Sequence, residues 1–414
     1  MQEVKYLIVG GGAAGTGAAE TIRSQDKEST IAIISDEPHR FYSRILLSKP
    51  NFFLEKIPFA QVWLKTEEWY RQNNIVFWGG KKAVGLDPHA KTVSLDDGTA
   101  IRYGKLLLAI GGSARPWGIP GSQKQGIFYL RTLDDAKAII HAVKGARRGV
   151  AIGGGFIGFE MCEMMCLAGM ETTILIREPY FWAYLLDETS GQMIEASLAK
   201  NGITISRNAQ AREVLGNERV EELLLSDGKK ISCDIAVVGI GLTCPFDWIG
   251  AAGVMVDRAI ITNEYLETNV RDVWAAGDAA EFNDLVTGER IQLGNWVNAQ
   301  MQGKAAARNM MGKKEAFRMV SFYTTQGFDL KIAFVGNVRP APDHNVISRG
   351  SKEIASYARL ISKNGKLIGA TLINRTQELG AIAKLIERGV DVSDKQNQLS
   401  DPNVNLNALL SQIA

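Results

Sequence analysis

Unbroken apolar runs, rather than alternating ones, punctuate most of this chain. Residues 6–9 (Tyr6-Leu7-Ile8-Val9), 30–34, 105–110 and 172–176 each stop at glycine or at polar residues. Such runs read as parallel strands covered on both faces. Helical patterns lie between them at 13–23, 63–74, 130–143, 185–201 and 298–311. Thr132 is placed to cap the helix at 130–143, with Asp134 and Asp135 in its first turn. Further strands are expected at 75–86, 202–206, 220–225, 231–238 and 270–278. A hairpin is expected where 92–95 and 100–103 flank Asp96-Asp97-Gly98-Thr99. From about Met319 the pattern changes. Strands are expected there at 330–338, 356–362 and 366–374, with Gly365 as a turn residue. An amphipathic helix follows at 376–388 through Leu379, Ile382, Ala383 and Ile386. The polar tail, 394–407, is expected to be loosely ordered before a short terminal helix.

Glycine gives this pattern its chemistry. The run 6–9 leads into Gly10-Gly11-Gly12-Ala13-Ala14-Gly15 and then a helix. Gly10 permits a tight turn, Gly12 lets backbone approach a pyrophosphate, and Gly15 lets the helix close on the strand. A helix N-terminus also offers free N–H groups to phosphate. The next strand ends in Ser35-Asp36-Glu37, so Asp36 and Glu37 lie where a ribose hydroxyl needs an acceptor. Strand, glycines, helix, second strand and acid together read as a dinucleotide fold. The unit recurs: Gly153-Gly154-Gly155-Phe156-Ile157-Gly158 follows 149–152 and precedes a helix, then a strand ending at Arg177-Glu178. Two such folds suggest two nucleotides, one giving electrons and one receiving them.

A chain of 414 residues has room for two or three domains, and 46% apolar with 22% charged residues is globular composition. Net charge of +2 gives no reason to expect nucleic acid or a membrane surface. The chain enters a strand almost at once, leaving no room for a signal peptide. No apolar run reaches the roughly 20 residues of a membrane span. Four cysteines in such a length make no disulfide framework, so a reducing cytoplasm is expected. Cys162 and Cys166 sit four apart on a helix, where Cβ atoms are about 5–6 Å apart, against roughly 3.5–4.5 Å in a disulfide. Both read as core residues. Cys233 and Cys244 are isolated, and no Cys/His cluster suggests a metal. The segment 111–121, rich in Gly and Pro, is the expected crossing between domains.

In this order the chain resembles the flavoprotein oxidoreductases with two dinucleotide folds. It is similar to NADH-dependent ferredoxin reductases of oxygenase systems, rubredoxin reductases and the redox core of apoptosis-inducing factor. The resemblance covers nearly the whole length. Besides both glycine turns it rests on Phe41-Tyr42-Ser43-Arg44 with Leu47-Ser48-Lys49, and on Leu108-Ala109-Ile110-Gly111. It rests also on Arg131-Thr132-Leu133-Asp134-Asp135-Ala136, Val238-Gly239-Ile240-Gly241, Ala276-Gly277-Asp278 and Trp296-Val297-Asn298-Ala299-Gln300. It implies an α/β protein with a discontinuous FAD domain (1–115 and 245–318), an NAD(P)H domain (116–244) and a C-terminal α+β domain (319–414).

The resemblance implies roles for single residues. Arg44 and Lys49 contact FAD, Lys49 close to the isoalloxazine, and Asp278 holds the ribitol chain. Glu160 lies near Lys49; read alone, it is a solvated helix residue. A buried Lys–Glu pair says little about stability, but beside a flavin its charges tune electron affinity. Further cofactor positions are Ala14 and Ile157 within the turns, with Ala83, Ala109, Gly111, Arg131 and Gly241. Trp296 either lines the flavin or fills the core between domains. Tyr323 occupies what looks like a tryptophan position near the flavin. The redox cysteines of disulfide reductases are missing from the first domain, where Ser43 stands.

The implied activity is hydride transfer from NAD(P)H to FAD, then electron release to a small iron–sulfur or rubredoxin-type protein. The protein is expected as a monomer or homodimer. Arg40, Arg44, Lys49 and Lys56 would suit an acidic carrier. The alternatives are a reductase of quinones or other small acceptors, and a redox-sensing interaction protein like apoptosis-inducing factor. For the nucleotide, two signals oppose. If the strand ends at Ile176, Arg177 points to NADPH; if it ends at Arg177, Glu178 accepts from the ribose of NADH. No second arginine lies in 179–186, and NADH is favoured.

Overall fold

Gln2–Val9 is the inner strand on which the first sheet is built. It pairs in parallel with Ile31–Ser35, which pairs in turn with Ile75–Gly79, and on its other side with Ala100–Leu108. Val9 lies between Ile34 and Leu108, so three apolar runs end level at the glycine turn. The far side of Ala100–Leu108 is shared. Its beginning pairs with the antiparallel Thr92–Leu95, and Leu106–Leu108 pairs in parallel with Val273–Ala275. The chain thus returns after residue 270 to the sheet begun at residue 2.

The computed structural model describes residues 1–339 and 341–411. It divides into two units: Met1–Ser43, Ala60–Ser113 and Thr243–Met319, and Arg44–Phe59, Ala114–Leu242 and Val320–Ala414. In the first unit, helices Ala13–Gln25 and Trp296–Met310 pack so closely that a Cβ on Gly303 would stand 2.0 Å from the Ala14 carbonyl oxygen.

The second unit repeats the parallel arrangement. Arg148–Ile152 lies between Glu171–Leu175 and Ile235–Val238, with Thr204–Ser206 and Ile127–Phe128 at the edges. Thr132 caps helix Leu133–Val143 in a reciprocal box with Asp135, as its sequence predicts. The single strand expected at 231–238 is two. Lys230–Ser232 closes an antiparallel meander and Ile235–Val238 joins the parallel sheet. The break falls at Asp234, whose carboxylate accepts from the backbone N–H of Arg147 and Arg148 and pairs with the Arg148 guanidinium. Likewise 75–86 is two strands, Ile75–Gly79 and Ala83–Asp87, parted by Gly80 at φ +70°.

The end of the chain forms a five-stranded antiparallel sheet, in the order Phe322–Gly327, Leu330–Gly336, Lys366–Ile373, Ser356–Lys363, Asn345–Ser351. Helix Leu379–Glu387 buries Ala381, Ile382, Leu385 and Ile386. Two of these strands were not expected, Phe322–Gly327 and Asn345–Ser351. The second hides its inward face because that face carries Arg349, only 1% exposed. Arg349 pairs with Glu378 (2.9 Å) and donates to the carbonyl oxygens of Leu399 (3.2 Å) and Val404 (2.6 Å). Arg375 pairs with the same carboxylate and donates to the Pro402 carbonyl. The tail expected to be loose is therefore tied down, with Leu399, Leu406 and Leu409 buried.

Removing one partner of a buried ion pair costs about 3 kcal/mol, so Arg349→Met should lower the unfolding midpoint and expose the tail to limited proteolysis. Burial acts to raise the Glu378 pKa, but hydrogen bonds from Arg375 and Arg349 outweigh it and the pKa is lowered. A lowered folded pKa stabilises above the unfolded value of about 4.3 and is lost as pH falls through the folded one. Wild type should therefore loosen its tail only under acid, whereas the variant should do so at neutral pH.

Candidate functional site

The first glycine turn is closed by backbone. Gly10 has φ +118°, and a Cβ there would lie 2.0 Å from the Ala109 carbonyl oxygen. A Cβ on Gly15 would lie 1.9 Å from the Gly10 carbonyl oxygen. Gly12, which starts helix Ala13–Gln25 in extended conformation with Ala14 in its first turn, meets nothing within 4 Å. Two glycines thus seat the helix on the strand, and the third leaves an open backbone surface at a helix N-terminus, a cradle fit for phosphate.

A small cleft of about 60 Å³ adjoins this turn, lined by Gly10, Asp36, Lys82, Ala83, Ile110 and Trp248. Asp36 accepts from the Glu37 N–H, while Glu37 accepts from the Tyr42 hydroxyl at 2.6 Å. Gly111, at φ +62°, follows Ala109 and Ile110. Asp278 sits in the short turn Gly277–Ala279 just past Val273–Ala275. That turn is fixed by the Gly277 N–H on Gln302 (2.8 Å) and by Gln292 on the Asp278 carbonyl oxygen (2.7 Å). Gly294 lies beside the Asp278 carboxyl, and a Cβ there would stand 3.6 Å from it, at van der Waals contact. Trp296 stacks on Phe41, centroids 5.4 Å apart, and packs on the core of the first unit.

The second turn copies the first. Gly153 has φ +101° and a Cβ there would lie 2.5 Å from the Gly239 carbonyl oxygen; one on Gly158 would lie 1.9 Å from that of Gly153. Gly155 starts helix Phe156–Leu167, and Ile157 packs against Gly239. Gly241, at φ +103°, accepts from the Arg115 N–H through its carbonyl. The strand itself ends at Leu175, yet Ile176 still donates to the Ser206 carbonyl and is fully buried. Arg177 is thus the first residue out, its side chain 75% exposed and 3.6 Å from the Glu178 carboxylate.

A third constellation belongs wholly to the second unit. Glu160, 7% exposed, lies one turn into helix Phe156–Leu167. It accepts from the Lys49 ammonium, the Ser48 hydroxyl and, at 2.7 Å, the Thr325 hydroxyl. It is therefore not a solvated helix residue. Ser48 and Thr325 come from remote segments and escaped sequence reasoning. The available signal was Glu160 itself, a carboxylate in a helix otherwise nearly all apolar. Arg44 donates to the Arg131 carbonyl at 2.6 Å, joining two positions singled out separately. Glu163, also on this helix, accepts from the Phe328 N–H, and burial pushes its pKa up. All four cysteines are free thiols. Among the described residues there is no group of three or more possible metal ligands, and no helix is long and apolar enough to cross a membrane.

Two parallel sheets, each ending in the same glycine turn, and a separate antiparallel sheet define an oxidoreductase-type scaffold with two dinucleotide-binding folds. Residues 4–303 match the family described as pyridine nucleotide-disulphide oxidoreductase, and 322–410 match reductase C-terminal. The ferredoxin–NAD(+) reductase component of the biphenyl dioxygenase system of Paraburkholderia xenovorans is 30% identical over 403 residues, 97% of each chain. The crystal structure of a covalent putidaredoxin reductase–putidaredoxin complex has a chain with TM-score 0.93 and 25% identity, covering 100% of this chain and 99% of its own. Nitrite reductase [NAD(P)H] of Bacillus subtilis is 29% identical over 95% of this chain, which spans about half (48%) of that protein. The chain belongs to the pyridine nucleotide-disulphide oxidoreductase family and is an FAD-dependent NAD(P)H oxidoreductase of the ferredoxin and rubredoxin reductase kind.

Burial pushes the Cys162 thiol pKa up, and that of Cys233 to about 12. Thiolate is the reactive form. Alkylation of the native protein at pH 8, read by mass spectrometry, should therefore leave Cys162 and Cys233 unlabelled until the chain is unfolded.

Proposed function

We propose that this chain takes hydride from a pyridine nucleotide and passes electrons to a small iron–sulfur or rubredoxin-type carrier protein. FAD, when bound, supplies the step from a two-electron donor to a one-electron acceptor. The observation that carries the reading is the pair of backbone-closed glycine turns, each heading a helix at the end of a parallel sheet. The Paraburkholderia relative, a ferredoxin–NAD(+) reductase component, supports the choice of partner. A reducing cytoplasm is the proposed setting, and it suits four free thiols.

In this reading the residues bind and orient rather than exchange protons. Gly10, Gly12 and Gly15 hold the FAD pyrophosphate, Asp36 faces its ribose and Asp278 its ribitol chain. Gly153, Gly155 and Gly158 hold the pyridine nucleotide. Arg177, first past the ladder, supports recognition of a 2′-phosphate and weighs against the preference for NADH read from the sequence. Lys49 sets a positive charge beside the ring system, and Glu160, with Ser48 and Thr325, sets its position and partly cancels its charge.

Two variants separate the turns. A methyl at Gly15 or Gly158 meets a carbonyl oxygen at 1.9 Å in either turn. Gly15→Ala should give a protein that no longer retains flavin. Gly158→Ala should stay yellow but lose reduction by NADH and NADPH. The same defect in both variants would refute the division of labour. Glu160→Gln should keep FAD while leaving the Lys49 charge uncancelled. Its midpoint potential should rise by roughly 30 mV, about 1.4 kcal/mol for a two-electron couple. An unchanged potential and an unchanged stopped-flow reduction rate would reduce the pair to a structural role.

A further inference from the structure

The loop that follows the second strand of the second nucleotide fold is aromatic: Tyr180, Phe181, Trp182 and Tyr184 fall within five positions. Trp182 has a left-handed backbone, φ +60°, and no exposed surface. For a side chain of that size such a conformation costs on the order of 1–2 kcal/mol, so surrounding contacts must hold it. They do so from several sides. The Phe181 N–H donates to the Glu195 carboxylate at 2.9 Å, and Arg359 donates to the Leu185 carbonyl at 2.7 Å. Leu185 and Leu186 both donate to the Trp182 carbonyl at 2.8 Å. The indole is boxed edge-on by Phe156, Phe181 and Phe334, with centroids 4.5, 5.4 and 5.5 Å away.

Everything about this ring is satisfied except its polar atom. Among the described residues the Trp182 indole N–H makes no hydrogen bond of good geometry, and the polar group beside it is the Tyr184 hydroxyl. A buried donor met only by the hydroxyl of an exposed side chain, in a tightly braced and strained loop, is one that a better acceptor supplied from outside would satisfy. The nitrogen lies beside the second glycine turn. It lies 3.9 Å from where a Cβ on Gly155 would stand, and the Tyr184 hydroxyl lies 3.7 Å from the same point. Gly155 is also the N-cap of a 12-residue helix with no side-chain cap, so backbone donors converge there too. Donors of three kinds meet at one place. Tyr184 is 55% exposed, whereas Trp182 is enclosed.

This rests on reading the second turn as the pyridine-nucleotide site. We propose that Trp182 is a nucleotide-binding residue, whose indole N–H donates to the phosphate bridge seated at Gly155, with Tyr184 lying over that seat and turning aside to admit it. A neutral donor on the phosphate bridge acts on what NADH and NADPH share. Arg177, at the ribose end, acts on what distinguishes them.

The test is calorimetric titration of the FAD-loaded protein with NAD⁺ and with NADP⁺, which needs no turnover. Trp182→Phe keeps the ring and removes the donor. It should bind both nucleotides about tenfold more weakly, the effect of one lost hydrogen bond, with flavin content and unfolding midpoint unchanged. Trp182→His retains a ring N–H and should recover part of that loss. Tyr184→Ala should bind at least as tightly as wild type. Trp182→Phe binding both nucleotides within twofold of wild type would overturn the proposal. So would a loss confined to NADP⁺, which would put the donor at the 2′-phosphate. Failure of the wild type to bind either nucleotide would refute the reading of the turn itself, and the proposal with it.

Discussion

Contact between backbone and backbone, with no space for one carbon atom, is the constraint from which both nucleotide folds are built. At Gly10 and Gly153 the next strand's carbonyl occupies the place of a side chain, and at Gly15 and Gly158 the turn's own carbonyl does. This closeness fixes where each helix begins relative to the end of its sheet, whatever the side chains around it do. It also explains why Gly12 and Gly155, which press on no backbone, are glycine as well: their value lies in the surface they leave bare. The same economy holds one helix further out, where Gly303 lets Trp296–Met310 lie directly on Ala14. Side chains then decide what the two turns do differently.

Glu160 shows how such a difference is made. A carboxylate on an apolar helix costs several kcal/mol of lost hydration unless it is met. Here a cation and two hydroxyls meet the helix's carboxylate, Lys49 and Ser48 from one segment and Thr325 from strand Phe322–Gly327. By that cost the carboxylate compels three distant parts of the second unit to agree on one position. Stability alone gives no reason for such an arrangement, since an apolar residue would pack there at least as well. A fixed charge pair has its use where an electron affinity must be set, which is why its residues stand at the centre of the proposed mechanism.

The fold was legible wherever one physical signal acted alone. Apolar runs gave the parallel strands, and Thr132 with Asp135 gave a helix start to the residue. Legibility failed where a polar residue did structural work inside. Asp234 splits a continuous apolar stretch by binding the backbone of a neighbouring strand. Arg349 makes a buried strand look like surface, and the carbonyls it holds make a polar tail look mobile. The site divides in the same way. Its glycine turns can be read because their spacing is local. The partners of Glu160 cannot, because Ser48 and Thr325 lie over a hundred residues away along the chain. Arg177 and Glu178 stood unresolved because one residue of register separated two outcomes, and only the ladder partner of Ile176 decides which comes first.

The family's description names disulphide chemistry, and the burial of Cys162 and Cys233 speaks against a part for them in it. A redox thiol must be partly exposed and held near its thiolate form by positive charge or a helix N-terminus. Cys162 is fully buried with its pKa pushed up by the loss of water, and Cys233 is raised to about 12 for the same reason. Cys166 is a turn away from Cys162 on the same helix and donates to the Asn201 carbonyl, turned to a structural purpose. The proposed route, in which electrons pass from the bound cofactor to an external protein and not through a thiol, agrees with that placement. No cysteine precedes Cys162 in the sequence, so the first glycine turn and its helix carry no thiol that could take a pair of electrons.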